Sequence, residues 1–120
     1  MKKASHLEIG QKGEALAAEL LVGKGFVIIE KNYRFKKAEI DLIAQKDSLL
    51  VFVEVKTRTN VTFGMPEEFV SKHKIQLITM AAEEYTYQHK WHQSIRFDIV
   101  AVVVKPNGET EVEHFEDAFY

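Results

Sequence analysis

Glu39-Ile40-Asp41-Leu42-Ile43 and Val51-Phe52-Val53-Glu54-Val55-Lys56 are two short, strongly apolar and β-branched runs separated by Gln45-Lys46-Asp47-Ser48. The runs read as strands and the separator as a turn, so the stretch predicts a β-hairpin. Side chains alternate along a strand, which puts Glu39 and Asp41 on one face and Ile40 and Leu42 on the other. In the second run Glu54 and Lys56 share a face with Phe52, opposite Val51, Val53 and Val55. A hairpin centred between Asp47 and Ser48 sets Asp41 opposite Glu54 and Glu39 opposite Lys56, with directly opposed Cβ atoms about 4.5–5.5 Å apart. A slip of one residue would break this arrangement. Three carboxylates and an ammonium grouped on one sheet face cost desolvation energy unless they pair or bind a metal.

Asp41 followed by Glu54-Val55-Lys56 resembles the PD-(D/E)xK signature of restriction-endonuclease-like nucleases. More of the chain is similar to a narrower group, the YraN-type uncharacterised proteins, which resemble archaeal Holliday junction resolvases in fold. The matching pieces run in family order: Gly13-Glu14-Ala15, Asn32-Tyr33-Arg34, Glu39 to Ile43, Val51 to Arg58, Phe63-Gly64, Arg96-Phe97-Asp98, and His114-Phe115 through Ala118-Phe119. Ala38 departs from the pattern, which usually has Gly before Glu-Ile-Asp. The resemblance implies a nuclease-like fold in which Asp41 and Glu54 hold Mg2+ or Mn2+ and the Val55 carbonyl is a third ligand. It also implies that Lys56 contacts the scissile phosphate and the attacking water, and that a helix-borne Glu14 joins the metal site.

At 120 residues the chain is the size of one domain, here taken as residues 1–120, and its 46% hydrophobic content is enough for a core. No apolar run approaches the ~20 residues needed to span a bilayer, and no hydrophobic segment follows the basic start Met1-Lys2-Lys3. The absence of cysteine excludes disulfides, thiolate catalysis and Cys-type zinc sites and is compatible with a cytoplasmic location. The net charge of −2 does not mark a nucleic-acid binder, but it is unevenly spread. Residues 106–120 carry five acids and no Lys or Arg, leaving residues 1–105 with 16 bases against 13 acids, a net of +3. Lys31, Arg34, Lys36 and Lys37 before the first acidic strand, and Arg58, Lys72 and Lys74 after the second, are candidates for a phosphate-contacting rim; scattered solvated charge is the plainer alternative.

Elsewhere, Ser5-His6-Leu7-Glu8 has capping-box spacing, and the spacing predicts a helix to about Val22, stopped at Gly23 and Gly25. On it Gly10, Glu14, Ala17 and Leu21 form one stripe of small or apolar residues, interrupted by the Glu14 carboxylate. Phe26 to Glu30 reads as the first strand, Thr57 to Met65 as a long polar connection, and Pro66 or Ser71 as the start of a second helix with Val70, Leu77, Ile78, Ala81 and Tyr85 on its apolar face. Gln88 to Gln93 reads as a loop and Ile95 to Val104 as a buried strand. Pro106-Asn107-Gly108-Glu109 is a hairpin turn leading into an edge strand, Thr110 to Phe115, whose Glu111 and Glu113 face solvent. The order α-β-β-β-α-β-β predicts an α/β fold with one mixed sheet flanked by helices.

Several residues have plainer readings than catalysis. Glu39 is expected to pair with Lys56 or Arg58 and orient them, and Asp98 to form a structural salt bridge with Arg96 or a loop donor. His73, His89 and His92 lack zinc-site spacing, and Tyr85, Tyr87 and Trp91 are expected to pack rather than stack on bases. For Asp41, Glu54 and Lys56 the alternatives are an inherited buried salt-bridge cluster or an active site. Two function classes follow: a metal-dependent nuclease acting on DNA or RNA, branched structures included, or a non-catalytic nucleic-acid-binding or protein-interaction module on the same fold. A homodimer would match the two-fold symmetry of a junction.

Overall fold

A computed structural model describes residues 6–59 and 70–119. The Ser5 cap, the Phe63-Gly64 pair and Pro66 lie outside the described residues. The elements follow the expected order: α1 (His6–Gly23), β1 (Val27–Phe35), β2 (Ala38–Lys46), β3 (Leu49–Arg58), α2 (Lys72–Gln88), β4 (Ser94–Val104) and β5 (Thr110–Phe115). The strands form one mixed sheet in sequence order, antiparallel throughout except for the parallel β3–β4 pair that α2 connects.

Ser71 rather than a more distant residue opens α2: its Oγ accepts the Lys74 amide at 3.1 Å. The end of α1 is closed by Gly25, whose φ of +96° suits a residue without a Cβ, and by the Phe26 amide donating to the Leu21 carbonyl at 3.0 Å. Gly108, at φ +87°, makes the turn into β5, where Glu109, Glu111 and Glu113 are all exposed on the edge.

The two sheet faces carry separate cores. Ala17, Ala18 and Leu21 of α1 cover Leu42, Ala44, Val51, Val53, Val100 and Val102. Ile78, Ala81, Ala82 and Tyr85 of α2 cover Ile40, Ile43, Leu50, Phe52, Phe97 and Ile99. Tyr85 meets Tyr33 and Phe52 edge-on, with centroids 5.2 and 6.0 Å away, so it is a packing residue, as expected.

Three expectations about boundaries and packing need correction. The first strand runs to Phe35, well past Glu30, so Lys31 and Arg34, which precede the acidic strand as expected, lie on a strand of their own. Pairing with β4 extends β3 through Thr57 and Arg58, which are therefore not part of the connection that follows. The close-packed glycine of α1 is Gly13, since a Cβ at Gly10 would meet nothing. At Gly13 a Cβ would run into Thr57 Oγ1 of β3.

A fourth correction bears directly on the site. Ile40 and Leu42 do not share a face: Ile40 packs in the α2 core and Leu42 in the α1 core. The two-residue alternation of β2 therefore breaks at Asp41, while its register with β1 holds from Glu30↔Ile43 to Phe35↔Ala38 and shifts between Ile28 and Glu30. Asn32 adopts a left-handed φ of +54°, a conformation that Asn tolerates better than most residues.

Candidate metal and phosphate site

The hairpin register is the one the turn implies, with Lys46↔Leu49, Gln45↔Leu50, Ala44↔Val51, Ile43↔Phe52 and Leu42↔Val53. Continued by one residue, it sets Asp41 opposite Glu54. There the ladder gives way to a side-chain contact, in which the Val55 amide donates to Asp41 Oδ2 at 2.8 Å. Beyond this point β2 pairs with β1 and β3 with β4, and the site lies where the two strands part.

Glu54 is 4% exposed, held on a strand between two apolar cores. Its Oε1 receives the Lys74 ammonium at 2.6 Å, while Oε2 is buried with no hydrogen-bond partner among the described residues. Burial and then the nearby Asp41 charge push the Glu54 carboxyl up from 4.5 to about 7, against the opposing pull of Lys74 and Lys56. Asp41 is also raised, mainly by burial; the Val55 amide, Lys74 and Lys56 offset part of that rise. Two carboxyls that both resist ionisation beside each other form a site that favours added positive charge.

Glu14 comes to the same end of the sheet from α1. The close approach of Gly13 to Thr57 brings that turn of the helix down onto β3. Burial, then the charges of Asp41 and Glu39, raise the Glu14 carboxyl above its usual 4.5. With its amide nitrogen turned toward the acids, Asn32 donates to Glu14 Oε1 at 3.1 Å and to Glu39 Oε1 at 3.2 Å. Asn32 thus ties the helix carboxylate to the strand carboxylate.

Glu39 pairs with Arg34 NH2 at 2.9 Å, not with Lys56 or Arg58. Among the proposed phosphate contacts, Arg34 is thereby engaged, Lys36 lies over the Phe35 ring at 5.3 Å, and Arg58 is exposed at the end of β3. Lys37 and Lys74 line an open cleft of about 480 Å³ between β2 and the first turn of α2, together with Glu39, Asp41, Ser71 and His73. The structure thus brings Glu14, Glu39, Glu54 and Lys56 each into electrostatic reach of Asp41. It also moves Lys74 from the rim, where sequence reasoning set it, into the acidic site. Asn32 was legible only as part of a family motif, although its tolerance of left-handed backbone was a usable signal.

Among the described residues no three His, Cys, Asp or Glu side chains are gathered as closely as an all-protein metal cage requires. Asp41 and Glu54, with one unsatisfied buried oxygen between two ionisable carboxyls, fit a hard cation that keeps several of its waters.

The model of the uncharacterised protein family UPF0102 matches residues 13–102, a span that holds every residue of this site. The chain belongs to UPF0102. The YraN-type likeness of the sequence is this family. UPF0102 relatives include a protein of Flavobacterium psychrophilum, 51% identical over 117 residues and spanning 98% of each chain. Another, from Christiangramia forsetii, is 43% identical over the same span and coverage. A third, from Caldanaerobacter subterraneus, is 45% identical over 122 residues, covering 99% of this chain and all of its own. UPF0102 membership fixes the family without fixing an activity. Among the described residues of this UPF0102 chain, no helix is long and apolar enough to cross a membrane.

Proposed function

We propose that this UPF0102 protein is a metal-dependent nuclease that hydrolyses phosphodiester bonds in DNA or RNA. The observation that carries the reading is the buried Glu54 carboxylate, whose Oε2 has no partner among the described residues and which feels the Asp41 charge, at the point where β2 and β3 part. Asp41 and Glu54 would hold Mg2+ or Mn2+, with Glu14 approaching from α1. When bound, such an ion neutralises phosphate charge and lowers the pKa of its water. Lys56 acts on both carboxylates and adds a positive charge where negative charge develops on the phosphate. Asn32 and Arg34 hold Glu14 and Glu39 in place. Lys37, which lines the cleft, is suited to a phosphate of the same strand.

The test is a panel of junction, flap, single-stranded and duplex substrates of DNA and RNA, with magnesium and then manganese. Slow cleavage without strong sequence preference is expected. Lys56→Ala should abolish it yet largely keep metal binding, because an ammonium stabilises charge but cannot ligate a cation. Binding without cleavage, with Lys56→Ala behaving like the parent, would replace the nuclease with a non-catalytic binding module.

A further inference from the structure

Among the described residues Lys74 is the one cation in direct contact with the buried Glu54 carboxylate, and nothing about the PD-(D/E)xK likeness requires it. It lies three residues past the Ser71 cap, on the first turn of α2, with its backbone amide fixed by Ser71 Oγ at 3.1 Å. Its stem spans the cleft and sets Nζ 2.6 Å from Glu54 Oε1. The two partners differ sharply in exposure: the Glu54 side chain is 3% exposed, whereas that of Lys74 is 43% exposed. The ammonium therefore has an open path to solvent along the cleft, while the carboxylate has none. Glu54 is fixed by its strand and its core neighbours, so any exchange of cations at this oxygen moves the lysine and leaves the glutamate in place.

We infer that Lys74 is a tethered stand-in for the divalent ion: it occupies the cation position at Glu54 in the metal-free protein and is displaced into the cleft when the metal binds. The inference rests on the nuclease reading above and adds to it a built-in competition. Without metal, the Lys74 ammonium compensates part of a charge whose burial would otherwise be uncompensated. A divalent ion held by Asp41 and Glu54 would supply more charge at this carboxylate and would repel a monovalent ammonium 2.6 Å from Glu54. The displaced lysine has Lys37 and His73 as neighbours on the cleft wall. There it adds positive charge on the path a phosphate strand would take, so that loading the metal also primes the cleft for substrate.

The experiment is a magnesium titration of the full chain at about pH 8.5, where protons compete weakly with the metal at Glu54. The Val55 amide resonance serves as reporter, since this amide donates to Asp41. Lys74→Met should bind magnesium about tenfold more tightly than the parent, the scale set by losing one charged hydrogen bond that the metal must otherwise break. Lys74→Arg, which keeps the charge, should resemble the parent, and Asp41→Asn should lose the response. Equal or weaker binding by Lys74→Met, with the parent responding and Asp41→Asn silent, would overturn the exchange and leave the metal site standing. No magnesium response in the parent or in Lys74→Met would overturn both.

Discussion

Two carboxylates are buried in this sheet, and the protein treats them in opposite ways. Asp98 on β4 is fully buried and every acceptor direction is used. Arg96 grips both oxygens, Nε to Oδ1 at 2.8 Å and NH2 to Oδ2 at 2.9 Å. His114 Nε2 donates to Oδ2 at 2.7 Å and the Asp117 amide to Oδ1 at 3.0 Å. His114 Nδ1 in turn faces the Lys24 ammonium at 2.8 Å, which can only donate, so the imidazole carries its proton on Nε2. Burial alone would raise the Asp98 carboxyl, but the bonds from His114, Arg96 and Asp117 outweigh it and hold it below 3.8. Glu54, buried to nearly the same degree, has among the described residues one partner and one oxygen without any, and is pushed up to about 7. The difference separates a carboxylate whose bonds are all made within the sheet from the one that the proposed function assigns to a cation. Asp98 ties β4 to β5 and to the chain after it, where the Ala118 amide donates to the Phe97 carbonyl. Among the described residues, Glu54 is paired with one half-exposed lysine.

The sharpest way to break this comparison is to remove each acid. Asp98→Ala leaves Arg96 and His114 without their anion and should cost about 3–5 kcal/mol of stability in urea unfolding. Glu54→Gln, which removes a charge that is only half compensated, should change stability by less than about 1 kcal/mol or raise it. Similar large losses for both would mean that Glu54 is also structural.

The pH dependence sharpens the contrast with a smaller effect. Glu54 has a folded pKa of about 7 against an ordinary 4.5, so as pH rises through that window the unfolded chain releases its proton first. Stability from this group is present below 4.5 and is lost as pH climbs to about 7. Asp98 works in the other direction: its lowered pKa gives stability that is present above 3.8 and lost as pH falls. Urea midpoints across this range should show a decline toward neutrality that Glu54→Gln flattens, while the acid-side loss remains.

The sequence made much of this legible, for local reasons. The turn at Asp47-Ser48 fixed the hairpin register because a pleated strand allows no half-steps, and that register brought Asp41 and Glu54 together. Arg96 and Asp98 were readable as partners because residues two apart share a strand face. Lys74 was misplaced on the rim because the strand that its turn of α2 meets depends on the β3–α2–β4 crossover, which no local pattern encodes. The break in alternation at Asp41 was hidden for a related reason: a period of two assumes an unbroken ladder, and the left-handed Asn32 lies on a different strand. The partner of Glu39 was likewise assigned to its own hairpin, when the neighbouring edge strand supplied Arg34.

On the proposed function, Asp41 and Glu54 form a centre for one hard divalent cation. Crystals soaked in manganese and measured for anomalous scattering test it most directly. A single strong peak is expected within bonding distance of an Asp41 oxygen and of Glu54, with the Lys74 ammonium moved off Glu54 Oε1. A peak held by other residues, or none at these two carboxylates with Lys74 still on Glu54, would contradict it.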